Sequence, residues 1–164
     1  MGAARLDHGQ GPQSGSWPKK STAAAEALGR RRGGFGTKVH AVVDALGNCL
    51  YLTLTPAECA DSPQLPILLA ALAQSTGAVV CDKAYDTNKV LETIAAQQAQ
   101  PVIPPKATRL DQRAYDTNLY ADRNKIERFF GRLKEARGFA TRYEKTAVSF
   151  LALAHLLAAL DWMR

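Results

Sequence analysis

The sequence predicts an α/β domain, a mixed sheet flanked by helices, and three observations carry that expectation. Short β-branched runs bounded by turn residues alternate with segments of helical period, a strand-like run from Ala78 to Cys81 ends on Asp82, and 164 residues suit a single core. The composition, 46% hydrophobic and 22% charged, excludes a collagen-like or wholly disordered chain.

Taking the chain in order, residues 1–34 carry scattered Gly and Pro and no apolar period, so they read as irregular. Residues 1–26 are expected as a disordered or out-of-frame head, and 27–164 as the folded domain. Lys38 to Val43 and Cys49 to Leu54, joined through Gly47-Asn48, predict a hairpin. Pro63 to Leu72 predicts a helix, Ala78 to Cys81 a buried strand, and Asn88 to Gln97 a helix on Val90, Leu91, Ile94 and Ala95. Pro101 to Pro105 suits an edge strand, because proline cannot donate to a ladder in mid-sheet. A long helix is expected from about Asp116 to Ala136 on Leu119, Ile126, Phe129, Phe130 and Leu133. The last helix, Lys145 to Trp162, is almost wholly apolar and is expected to pack inside.

The formal net charge is +6, distributed as +5 over residues 1–38, −4 over 39–104 and +5 over 105–164. A basic head and tail around an acidic middle suit a nucleic-acid enzyme, with cations for phosphate and carboxylates for metal. Cys49, Cys59 and Cys81 form no C-x-x-C pair, which argues against a disulfide framework or a zinc site and for a reducing cytoplasm. No secretory signal is visible. The longest uncharged stretch, Thr146 to Leu160, has 15 residues and falls short of the ~18 of a membrane span.

Within the long helix, Tyr120, Arg123, Glu127 and Lys134 follow one another at steps of three, four and seven residues. At about 100° per residue they share one narrow face beside the apolar stripe, setting a carboxylate among cations at the rim of the core. A surface pair of Arg123 with Glu127 would by itself be structural and worth a few tenths of a kcal/mol.

The pattern Y-x2-R-x3-E-x6-K in these four residues resembles the signature of DDE transposases of bacterial insertion sequences, groups four and five. Gly29-Arg30-Arg31-Arg32-Gly33-Gly34 with Thr37-Lys38-Val39-His40-Ala41 and Asp44 is similar to the family's G-R-S-R-G-G and T-K-I-H-A…D segments. Val80 to Asp86 is similar to its A-D-K-G/A-Y-D, and Ala140 to Lys145 to its A-T-R-Y-D/E-K. The likeness runs from about Ala27 to the end of the chain.

The resemblance implies an RNase H-like fold, incomplete here at its N-terminal strand, in which three acids from separate elements hold two divalent metals, Mg2+ or Mn2+. Asp82 matches the second acid and Glu127 the third, as catalytic and metal-binding residues. Tyr120, Arg123 and Lys134 carry over as groups contacting transposon-end DNA, since guanidinium and ammonium suit phosphate oxygens. Arg30, Arg31 and Arg32, beside two glycines, suit a flexible DNA-contacting loop. The implied partners are terminal inverted repeats, target DNA and further copies of the chain, in a bacterial cytoplasm at the nucleoid and with no membrane. Other candidates read as structural: Asp86 as a helix N-cap, Asp44 as a turn acid, His40 as a satisfied strand histidine, and His155 as helix packing.

The family's first aspartate stands in a strand resembling D-S-T-x-V-x-A, and nothing here matches it. Asp7 is the nearest acid, but Leu6 to Gly11 lacks β-branched residues and alternation. One choice of codons for Arg5 to Pro12, read one base later, encodes Asp-Ser-Thr-Thr-Val-Lys-Ala, so the head is expected to be an out-of-frame product. Sequencing the gene tests this, because codons incompatible with that re-reading exclude it. The upstream DNA-binding region that the resemblance implies for full-length relatives is likewise expected to be missing. The expectation is a transposase by descent, inactive as a truncated chain. The alternatives are a non-catalytic DNA-binding fragment that interferes with a complete transposase, and a nuclease of similar metal chemistry.

Overall fold

The computed structural model describes residues 2–8, 26–31, 34–72 and 76–164. In chain order these form β1 (Gly2–His8), β2 (Gly29–Arg31), β3 (Gly34–Val43), β4 (Cys49–Pro56), α1 (Gln64–Ala70), β5 (Ala78–Cys81), a 3-10 turn (Lys83–Tyr85), α2 (Asn88–Ala96), β6 (Gln100–Val102), α3 (Thr117–Ala121), α4 (Asn124–Lys134), α5 (Arg137–Thr141) and α6 (Ala147–Trp162). The strands are ordered β2-β3-β1-β5-β6, with β4 also pairing with β3. β1 and β5 are parallel, as are β5 and β6, whereas β2 and β3 are antiparallel. This is the mixed α/β sheet expected from the sequence, with the proline-bounded β6 at its edge.

One expectation fails at the start of the chain. Gly2–His8, read as irregular, is a strand between β3 and β5. Its residues have weak β-propensity, and pairing with strong neighbours overrides that preference. The rest of the expected head, residues 9–25, lies outside the described residues.

Contacts divide the chain into two units. The first comprises Met1–Ala4, Ala41–Tyr51 and Ala60–Arg128, and the second Arg5–His40, Leu52–Cys59 and Phe129–Arg164. In the first unit the core gathers Val42, the i, i+3, i+4 set Leu65, Leu68 and Leu69 of α1, Val79 and Cys81 of β5, Val90 and Ile94 of α2, and Tyr85 and Ile103. Val80 is buried too, so β5 is covered on both faces, as an inner parallel strand should be. The hairpin turn is tied by Asp44, whose Oδ1 accepts the Leu46 and Asn48 N–H groups at 2.8 and 2.9 Å, while Gly47 supplies the positive φ of 94°. Burial alone would raise the Asp44 pKa, but bonds from Asn48, Leu46 and Gly47 outweigh it and lower it.

In the second unit the buried groups include Leu28, Val39, Leu52, Phe129, Phe130, Leu133, Phe139 and Phe150, with Phe139 stacked on Phe150 at 5.4 Å. His40 is buried and its Nε2 bonds Thr55 Oγ1 at 2.8 Å. Arg142 is fully buried where α5 ends in a left-handed residue (φ 47°). Its guanidinium donates to Glu26 O at 2.7 Å and to Thr37 Oγ1, and lies 5.0 Å from the Phe150 ring centre. Burial pushes its pKa down to about 10, so it stays charged at neutral pH.

The expected helix from Asp116 to Ala136 is broken. α3 stops at Ala121, i→i+3 bonds carry the chain through Asp122 and Arg123, and α4 begins at Asn124. Asp and Asn compete for local hydrogen bonds and are poor helix-interior residues, which accounts for the interruption. The last helix also departs from expectation. Thr146 caps α6, but only Phe150, Ala154 and Ala158 are buried, while Val148, Leu156, Leu160, Trp162 and His155 are exposed. Among the described residues, no helix is long and apolar enough to cross a membrane.

Candidate active site

Asp82 follows β5 directly, which holds its backbone at the carboxyl end of a parallel strand. It also caps the 3-10 turn, with Oδ1 accepting the Ala84 N–H and Oδ2 left to other partners. Glu127 stands in the first turn of α4, where a carboxylate is favoured by the helix dipole. Its side chain is 55% exposed and pairs with Arg123 Nη2 at 2.9 Å.

The break between α3 and α4 does not scatter the polar row. Arg123 sits over the Tyr120 ring at 5.8 Å while pairing with Glu127, and Tyr115 meets Tyr120 edge-on at 5.4 Å. Asp82 joins this group electrostatically. Burial chiefly raises the Tyr120 pKa; Arg123 opposes it, and the carboxylates of Asp82 and Glu127 with the Tyr115 phenol raise it further. The Tyr120 phenol is therefore neutral at physiological pH and feels both acids. All of these residues belong to the first unit.

Other expected residues are placed differently. Lys134 closes α4, exposed and in the second unit. Arg30 and Arg31 lie on β2 rather than in a flexible loop, paired across the ladder with Phe35 and Gly34, and the Arg30 guanidinium rests 5.5 Å from the Phe35 ring centre. A strand forms because the two segments satisfy each other's backbone groups. The Arg31 side chain and all of Arg32 lie outside the described residues.

Asp86 is not a helix N-cap, because Thr87 fills that position with Oγ1 accepting the Val90 N–H. Asp86 is instead an anchor. Its side chain is 0% exposed, and it accepts the Lys106 N–H at 2.8 Å, Arg109 Nε at 2.9 Å and Arg113 Nη2 at 3.0 Å. Burial would raise its pKa, but the Lys106 bond, Arg113 and Arg109 more than offset this and hold it low. The sequence gives no local signal for this cluster, since its partners stand 20 to 27 residues away.

Among the described residues the donor set does not fit a two-metal centre, since no group of three or more His, Cys, Asp and Glu among them could hold a metal ion. β1 runs parallel to β5, with Ala3 paired to Cys81. The Asp7 side chain lies outside the described residues.

Comparison with known proteins decides the family. The Transposase DDE domain family matches residues 8–162. The chain belongs to that family. A relative from Brucella ovis, named as a transposase for insertion sequence element IS6501, is 40% identical over 129 residues, covering 78% of this chain and 98% of the relative. No solved structure matches. The DDE transposase family generally uses divalent metal ions and acts on DNA.

Proposed function

We propose that this DDE transposase binds the DNA of insertion-sequence ends through an RNase H-like domain that takes in β1 (Gly2–His8) together with residues 27–164, with Asp82 and Glu127 as the second and third catalytic acids. The observation that carries this reading is the placement of Asp82 at the carboxyl end of β5 and the polar row in which Arg123 pairs with Glu127 at 2.9 Å and lies 5.8 Å from the Tyr120 ring centre. Tyr120 and Arg123 offer a phenol and a guanidinium edge to DNA phosphates, and Lys134 and Arg30, with Arg31 and Arg32, add cationic contacts. The family's reaction, cleavage of the element's ends and transfer of the 3′-hydroxyl to target DNA, calls for Mg2+ or Mn2+ on three acids. Because no segment of the chain resembles the family's first-acid motif D-S-T-x-V-x-A, this chain is read as binding ends without cutting them. The active form is a homo-oligomer at the nucleoid in the cytoplasm.

The test is strand cleavage, with Mg2+ or Mn2+, of a duplex carrying the element's terminal repeat. This chain is compared with one whose residues 1–20 are replaced by the re-read sequence beginning Asp-Ser-Thr. Cleavage only by the repaired chain, abolished by Glu127→Gln, is the expected result. Equal cleavage by both shows that another acid, such as Asp7, completes the site. The missing acid also favours a second reading, a DNA-binding chain that interferes with a complete transposase. It predicts that adding this chain to an active relative lowers strand transfer.

A further inference from the structure

An open cavity of about 440 Å³ lies next to Asp82, walled by Asp82, Lys83, Ala84, Lys106, Ala107 and Thr108. Its volume is in the range of about 300–1,000 Å³ typical of small-ligand sites. The cations around it divide into two kinds. Arg109 and Arg113 are committed to Asp86. Lys83 and Lys106 have no carboxylate partner among the described residues, although Lys106 is tied through its backbone to Asp86.

The wall from Lys106 to Thr108 has no secondary structure of its own to fix it. Its position comes from Asp86. The carboxylate takes the Lys106 N–H from one side and two guanidinium groups from the other, Arg109 also donates to Asn88 Oδ1 at 2.7 Å, and Arg113 reaches Ile103 O. Gln112 closes the loop by donating to Lys106 O at 3.0 Å and Arg109 O at 2.7 Å. A buried acid with three donors from one segment is a fixed point for that segment, because leaving any of these groups unpaired in a dry site is costly.

We propose that this cavity seats the sugar–phosphate backbone of DNA beside Asp82, with Lys83 and Lys106 as its phosphate contacts and Asp86 as the residue that positions Lys106. The small side chains of Ala84, Ala107 and Thr108 leave room for a deoxyribose, and the two ammonium groups offset the Asp82 charge that would otherwise repel phosphate. Contacts of this kind carry no sequence information and fix the register of the strand.

The inference rests on the DNA-binding reading, and its test separates the two. Binding of a short duplex is followed by fluorescence anisotropy across a salt series, at a temperature where every variant is folded by circular dichroism. Lys83→Gln and Lys106→Gln are each expected to lower the slope of log affinity against log salt by about 0.9, alike for terminal-repeat and random duplexes. Asp86→Asn should lower it by the same amount, and the Asp86→Asn, Lys106→Gln double variant no further than Lys106→Gln alone. A merely structural role for Asp86 would leave the slope unchanged.

Arg164→Gln removes the same charge from a residue paired to Glu135 and is expected to keep the slope of the unmodified chain. An equal drop in that control, or unchanged slopes in both lysine variants while binding persists, overturns the inference alone. Absence of DNA binding by the unmodified chain ends the functional reading and the inference together. Loss of a deoxynucleoside monophosphate's own binding in the lysine variants, without any change in duplex binding, would assign the cavity to a free nucleotide.

Discussion

Asp86 and Glu127 are both carboxylates paired to arginine in the same unit, and they serve opposite ends. Asp86 is sealed from water and holds two guanidinium groups and a backbone N–H; Glu127 is more than half exposed and has one partner four residues away. Desolvation makes the difference. A buried acid cannot lose its partners without leaving charges stranded, so it is committed to the scaffold. An exposed acid gains little from its pair, and its free lone pairs remain open to chemistry. Asp82 falls on the Glu127 side of this division, with only Oδ1 engaged by the turn it caps.

The largest break in the comparison is expected from Asp86→Ala, which leaves Arg109, Arg113 and the Lys106 N–H without their acceptor. Urea unfolding should show a loss of about 3–5 kcal/mol, the range for removing one partner of a buried charge cluster. Arg142→Met in the second unit leaves the buried Glu26 carbonyl without its 2.7 Å donor, while the Thr37 hydroxyl keeps its bond to Ala27 O, and is expected to cost about 1–3 kcal/mol.

A titration sharpens the contrast. Because the folded pKa of Asp86 is depressed, its contribution is fully present above the unfolded value of about 3.9 and is lost as pH falls through the folded value. The stability gap between the unmodified chain and Asp86→Asn should therefore be constant at neutral pH and shrink below about pH 4. The smallest effect is at the exposed pair. A double-mutant cycle on Arg123 and Glu127 is expected to give about 0.3–0.5 kcal/mol of coupling, diminishing with added salt.

Much of the fold was legible because it is written locally. The hairpin around Gly47-Asn48, the strand Ala78–Cys81, the helix from Asn88 and the proline-bounded edge strand all emerge near their expected bounds. So do the buried Ile126, Phe129, Phe130 and Leu133 of α4. What was hidden depends on distant partners. β1 has no strand-like composition and exists through pairing with β3 and β5. Asp86 resembles any acid before a helix until Arg109 and Arg113 are brought to it. Arg142 looks like one more surface cation of a basic tail, yet its partners lie 105 to 116 residues earlier. The break at Asp122 was foreshadowed by Asp122 and Asn124, residues that the stronger apolar period outweighed in the reading of the helix.

Side-by-side equilibrium urea unfolding of Asp86→Asn and Glu127→Gln at neutral pH tests the division between committed and available acids most directly. The account predicts a loss of several kcal/mol for Asp86→Asn and a change within about 0.5 kcal/mol for Glu127→Gln, with equal m-values. Equal losses in the two variants, or a larger loss for Glu127→Gln, would contradict it.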